Sequence, residues 1–265
     1  MPTFEHDGST LSYNDTGGDG TPVLLVHGFP FDARMWDGQV EALGSRYRLI
    51  AADLKGFGSS AAPEDRSGYS IDAYADELKA LVDELRLAQV VLVGLSLGGY
   101  IALAFIRKYP DAVRGLVLAD TRAEADPPEG VEKRSNQQKQ VEAEGTSGLI
   151  DGLAGALLSA NTKENKPDVV GNLKTIMKQP DVAFIGALEA MKTRGDSTPV
   201  LTGIKVPTLI IVGEHDAITP PDAARKMHEH IGGSKLVVIP DAGHISNMES
   251  PDAFNGAVAE FLGTL

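Results

Sequence analysis

The sequence contains no cysteine in 265 residues. That excludes disulfides, thiol nucleophiles and cysteine-ligated metals, and it fits a reducing, cytoplasmic setting. Basic residues are also short: 24 Lys and Arg against 37 Asp and Glu give a formal charge of −13. So acidic a surface repels phosphate backbones and anionic lipid, so neither nucleic acid nor a membrane is an expected partner. Aromatic residues make up only 6% of the chain, and no apolar run approaches the ~20 residues of a membrane span. Met1 to Tyr13 lacks a basic start and an apolar centre, which predicts no secretory signal. There is no His-Glu-x-x-His, and His228 and His230, two apart on a helix, point in different directions, so no metal is expected. Gly94-x-x-x-Gly98-Gly99 lacks the following Lys-Ser/Thr of a phosphate loop, and Gly56-x-Gly58 lacks dinucleotide-binding spacing, so no cofactor is expected either.

What remains is the makeup of a globular α/β protein. Apolar residues are 42% and charged residues 23%, ordinary proportions for a chain that buries a core. The length suits one large α/β domain or one that carries an insertion. Short apolar runs at 23–26, 47–51, 90–93, 113–118, 207–212 and 235–239 predict buried strands. Helical stretches at 36–43, 71–87, 100–108, 220–230 and 252–262 alternate with them, and residues 3–13 predict a hairpin about Asp7-Gly8. This alternation implies a mostly parallel sheet with helices on both faces. It stops after Asp120. Residues 123–200 carry no strand signal and predict helices at 129–143, 148–158, 168–177 and 182–193. The expected organisation is an α/β core of residues 1–122 and 201–265, with a helical cap of residues 123–200 inserted between two late strands. Such a cap would cover the sheet's C-terminal edge, where open α/β sheets bind ligands.

The chemistry centres on Val90-Val91-Leu92-Val93-Gly94-Leu95-Ser96-Leu97-Gly98-Gly99-Tyr100. A strand that turns at once into a helix brings the backbone close to itself, and glycines two before and two after the turn leave it room. Gly94-x-Ser96-x-Gly98 then projects a serine hydroxyl over the sheet edge. In a chain with 29 glycines the five-residue motif alone is weak; the strand before it and the helix after it give it meaning.

A serine hydroxyl needs a base, and the base needs an orienting acid. Asp216 and His244 follow in that order, each just beyond a predicted strand, so a parallel sheet brings all three loops to one edge. Ser96 is the expected nucleophile, His244 the base and Asp216 the acid. Asp120, also at a strand end, and Glu214, two residues from Asp216, are rival acids, and His215 is a rival base. Backbone amides of Leu97, first after the elbow, and Phe29, in the loop beside it, are the expected oxyanion donors. His27 reads as a loop-orienting core residue. Phe29 and Trp36 are candidates for pocket or core, and the helical spacing of Phe184, Leu188 and Met191 suggests an acyl-pocket wall.

His27-Gly28-Phe29-Pro30, Asp53-x-x-Gly56-x-Gly58-x-Ser60, Gly94-Leu95-Ser96-Leu97-Gly98-Gly99, Gly213-Glu214-His215-Asp216 and Gly243-His244 together resemble the α/β-hydrolase fold superfamily. The chain looks most like small carboxylesterases, 3-oxoadipate enol-lactonase-like hydrolases and cofactor-free haloperoxidase/perhydrolase relatives. Serine at the elbow, where epoxide hydrolases and haloalkane dehalogenases carry aspartate, sets those two apart. Lys55 stands where the family usually has arginine. The resemblance implies hydrolysis of a small-molecule ester or lactone through an acyl-enzyme. Perhydrolase, carbon–carbon hydrolase, acyltransferase and non-catalytic receptor functions share the same fold. An anionic enol-lactone would call for a cation near the site, and Arg122 is the one placed for it; the acidity of the whole chain favours a neutral ester or lactone.

Overall fold

Eight strands form one sheet in the computed structural model, which describes residues 1–63 and 68–265. β1 (Thr3–His6) and β2 (Ser9–Asp15) make the hairpin; Asp7 and Gly8 both adopt positive φ, 46° and 74°, as a tight two-residue turn requires. β3 (Pro22–Val26), β4 (Arg48–Ala52), β5 (Val90–Leu95), β6 (Val113–Ala119), β7 (Thr208–Gly213) and β8 (Lys235–Ile239) follow. Their order across the sheet is β1-β2-β4-β3-β5-β6-β7-β8. β1–β2 and β2–β4 are antiparallel and all other pairs parallel.

The central strands are apolar throughout because both faces are covered. Leu24, Ile50, Leu92 and Leu116 pack on one side with α2 (Ile71–Glu84), α3 (Leu97–Lys108) and α10 (Pro221–His230). Val23, Leu25, Val91, Val93 and Val117 pack on the other with α1 (Asp37–Leu43) and α12 (Pro251–Leu262). Successive side chains of one strand alternate between these two cores, as the pleat dictates. Trp36 sits fully buried in the second core, stacked obliquely on Phe254, so it serves packing.

Between β6 and β7 the described residues form helices only: α4 (Pro128–Glu144), α5 (Ser147–Leu157), α6 (Ala160–Asn165), α7 (Pro167–Ile176), α8 (Asp181–Lys192) and α9 (Thr198–Leu201). The predicted helices match α4, α5, α7 and α8 to within a residue at each end; α6 and α9, six and four residues long, give no periodic signal. α4 buries only Val141. Val141 joins Phe184 and Ile185 of α8 in a small apolar cluster, and polar contacts add to it, Gln138 Nε2 donating to the Ile185 carbonyl at 3.1 Å and to Glu189 at 2.9 Å. Among the described residues no helix is long and apolar enough to cross a membrane.

Candidate active site

Ser96 is the turn between β5 and α3, with φ 54° and ψ −111°, a conformation that residues with a Cβ rarely hold. The flanking glycines make that turn possible. A Cβ at Gly94 would strike the backbone of Gly98, and one at Gly98 would strike the carbonyl of Val26. The turn is anchored to the end of β6: Ser96 N donates to the Ala119 carbonyl at 2.9 Å, and Thr121 Oγ1 donates to the Ser96 carbonyl at 2.9 Å.

The loops after β5, β7 and β8 bring Ser96, Asp216 and His244 into one hydrogen-bonded chain. Ser96 Oγ lies 2.8 Å from His244 Nε2, and His244 Nδ1 lies 2.8 Å from Asp216 Oδ2. A carboxylate only accepts, so Nδ1 carries the proton and the Nε2 lone pair faces the serine hydroxyl. Asp216 is fixed by three further donors: the amides of Ile218 and Thr219, at 2.8 and 2.9 Å, and the Thr219 hydroxyl at 2.7 Å. Burial would raise the Asp216 carboxyl, but the charge of His244 and these hydrogen bonds hold it below the ordinary carboxylate range. For His244, burial would lower the imidazole, yet Asp216, aided by Asp120, lifts it above the ordinary 6.5. Both shifts favour an imidazolium–carboxylate pair.

The rival residues lie elsewhere. Asp120 is fully buried, but its oxygens are taken by the Gly213 amide at 2.8 Å, the Ser246 amide at 3.1 Å and the Ser246 hydroxyl at 2.6 Å. It knits the ends of β6 and β7 to the loop after His244. Its carboxyl is pushed up to about 7, first by burial and then by the charge of Asp216. Glu214 and His215 are exposed, and with Asp241 they form the only cluster among the described residues with metal-ligating spacing, on the surface.

The loop after β3 is organised by His27. Its Nε2 accepts from the Leu54 amide at 3.1 Å, so Nδ1 donates to the Gly28 carbonyl at 2.9 Å. Burial keeps this imidazole below its ordinary pKa and neutral. The bond fixes the Gly28–Phe29 peptide, and with it the direction of the Phe29 amide. Among the described residues neither that amide nor the Leu97 amide has an acceptor, as the first amide of a helix and a donor kept for a ligand would both require.

Sequence reasoning missed Thr219 and Glu249. Thr219, three residues after Asp216, has the spacing of a side-chain-capped turn and was legible in principle. Glu249, in α11 (Ser246–Glu249), is fully buried and accepts from the amides of Gly243 and Ser159, each at 2.8 Å. The His244 amide also donates to the Leu157 carbonyl at 2.8 Å. The loop that carries the imidazole is thus seated on the segment joining α5 and α6.

Above Ser96 and His244 lies a cavity of about 240 Å³, near the lower end of small-molecule sites. Phe29 and Met191 line it. Phe184 and Leu188 do not; both are fully buried, and Phe184 supports Phe29 edge-to-face at 4.8 Å. Lys55 is remote from this chemistry: it pairs with Glu77 at 2.5 Å, both side chains nearly buried, and locks the turn after β4 to α2.

Residues 21–251 match the family model described as alpha/beta hydrolase fold. The 2-hydroxy-6-oxononadienedioate/2-hydroxy-6-oxononatrienedioate hydrolase of Escherichia coli is 33% identical over 97% of this chain and 93% of that protein. Among solved structures, a malate-bound thermophilic esterase from Thermogutta terrifontis is 40% identical, with a TM-score of 0.93 over 99% of this chain and 96% of that one. The enol-lactonase of Burkholderia xenovorans is 30% identical, with a TM-score of 0.92 over 99% of this chain and all of that one. Sheet order, elbow and relatives agree: the chain belongs to the alpha/beta hydrolase fold family.

Proposed function

We propose that this hydrolase cleaves small carboxylic esters or lactones with Ser96 as nucleophile, His244 as base and Asp216 as its orienting acid. Ser96 Oγ attacks the carbonyl carbon and passes its proton to His244 Nε2. The amides of Phe29 and Leu97 receive the oxyanion. The tetrahedral adduct collapses, His244 protonates the departing alkoxide, and an acyl-enzyme remains. Water then gives a proton to His244 and attacks the acyl carbon, releasing the carboxylic acid and restoring Ser96. Asp216 stays ionised throughout and stabilises the imidazolium. Residues 123–200 act as the cap that roofs the cavity, and the cysteine-free sequence is compatible with a cytoplasmic enzyme.

The observation that carries this is the unbroken Ser96–His244–Asp216 hydrogen-bond chain on the floor of a cavity. The esterase and enol-lactonase likenesses support it. The Escherichia coli relative, named for hydrolysis of a dienedioate, makes carbon–carbon hydrolysis by the same residues the second reading. Stopped-flow hydrolysis of p-nitrophenyl acetate and butyrate, run beside Ser96→Ala, tests the assignment. Multiple turnover that vanishes in the variant is expected. Equal turnover in both would refute it, and a single burst without turnover would point to a receptor or an acyltransferase awaiting its acceptor.

A further inference from the structure

The cavity over Ser96 has two unlike walls. One is apolar, made by Phe29, Leu153, Leu157 and Ile218. The other, from the segment after β6 and the first turns of α4, carries Arg122, Lys133 and Arg134 with a single carboxylate, Asp126. A chain with a formal charge of −13 has therefore gathered a positive surplus in a small space. That sign is opposite to the one the overall composition suggests for the ligand's surroundings.

Asp126 cannot absorb the surplus. It is shared among three arginines: Arg134 in direct contact, Arg194 at 2.9 Å and Arg122 at 3.6 Å. One of them has a packing role, since the Arg194 guanidinium lies 4.0 Å over the ring of Tyr100 and its side chain is 4% exposed. Arg122 is held loosely. Its distance from Asp126 is long for a hydrogen bond, its side chain otherwise reaches Tyr100, and its Nε, like that of Arg194, is buried with no hydrogen-bond partner. A buried guanidinium N–H without an acceptor is costly. Lys133 is exposed and makes no ion pair among the described residues. Cations crowded beside one another repel unless an anion joins them, and a guanidinium presents a planar fork that fits a carboxylate with two parallel bonds.

We propose that this wall is a carboxylate subsite: the protein acts on an ester or lactone that also bears a carboxylate group, held by Arg122 and Arg134 with Lys133 at the rim. The inference rests on Ser96 being the nucleophile of an ester or lactone hydrolase. It adds the far end of the substrate. Binding the anion there relieves the repulsion of the empty wall, draws substrate into the cavity through the field of the cluster, and leaves the ester carbonyl to reach Ser96.

Two matched substrate pairs test it: monoethyl adipate against its primary-amide isostere, and 4-acetoxybutyrate against 4-acetoxybutyramide. Each pair differs only in the charge of the remote group and covers a carboxylate on the acyl or the alcohol side. At least one acid is expected to exceed its amide in kcat/KM by about ten- to a hundredfold, the worth of a hydrogen bond to a charged group. The preference should lie in KM, weaken as ionic strength rises from about 0.02 to 0.5 M, and shrink in Arg122→Gln and, less, in Lys133→Gln, whose exposed position spares the fold. Ser96-dependent hydrolysis of both amides with no preference for the acids overturns the subsite while the nucleophile stands. If no ester is hydrolysed, calorimetry of adipate dianion with Ser96→Ala decides. Saturable binding that weakens at least about tenfold in the Ser96→Ala, Arg122→Gln protein supports the subsite without the hydrolase reading; no binding overturns it.

Discussion

The backbone of Ser96 offers a stability test independent of any substrate. At φ 54°, ψ −111° a residue with a Cβ is strained by about 1–3 kcal/mol. Ser96→Ala and Ser96→Gly both remove the hydroxyl and its 2.8 Å bond to His244, so that loss cancels between them. Glycine sheds the strain. Against this stand its extra freedom in the unfolded chain, about 0.5–1 kcal/mol, and the loss of one buried carbon, about 0.8 kcal/mol. With strain near the middle of its range the glycine variant should equal the alanine variant or exceed it by up to about 1 kcal/mol. At an unstrained buried site, glycine would instead fall about 1.5 kcal/mol below alanine. Guanidinium melts of the two proteins at pH 7 separate these outcomes, and the thermal midpoint should follow by about 2–4 °C per kcal/mol in a protein near this size. A glycine variant less stable than alanine by the full unstrained margin would refute the strained elbow.

Other perturbations probe the surroundings. Lys55→Met strands Glu77 without its cation in a nearly buried position, so it should cost about 3–5 kcal/mol, largely recovered in the Lys55→Met, Glu77→Leu double variant; equal destabilisation of single and double variants would contradict this. Burial, opposed by Lys55, pushes the Glu77 carboxyl up from 4.5 to about 7. Its folded pKa is raised, so its stabilising contribution is full below 4.5 and lost as pH rises to about 7. Melting curves over that window should therefore fall less steeply in Glu77→Gln than in the wild type. In the proposed mechanism His244 must be neutral to accept the serine proton, and its imidazole lies above the ordinary 6.5. The acid limb of kcat/KM should accordingly sit above 6.5 and move to lower pH in Asp120→Asn, which removes a charge that raises it; an unmoved limb would refute that link.

Much of this could be read from the sequence because the relevant signals are local. Buried parallel strands are continuous apolar runs, so β3, β5, β6 and β7 stood out. The elbow needs its glycines within two residues of Ser96, and the order Ser96, Asp216, His244 places each group after a strand. Illegible features depend on residues far apart in the chain. Nothing around Glu249 announces that it will bind the amides of Ser159 and Gly243. Asp120 looked like a rival acid because strand-end placement is common to both; only the distances assign it to Gly213 and Ser246. Lys133 and Arg134 lie on a helix polar on every face, which in sequence reads as a solvated surface. The turns of Ala33–Trp36 and Ser246–Glu249 are too short for periodicity to register.

The seating of His244 on Leu157, and of Gly243 and Ser159 on Glu249, limits how this protein can be rebuilt. A designer who exchanges the helices between β6 and β7 for those of a relative, to change substrate range, would cut through that seam. The sheet would survive the transplant, while the imidazole loop would lose two of its backbone anchors. A graft whose junction lies beyond residue 159, or that brings its own acceptor for the His244 amide, keeps the imidazole in register with Ser96. The practical boundary of the exchangeable module is thus set by the hydrogen bonds of the histidine loop and lies inside the helical insert.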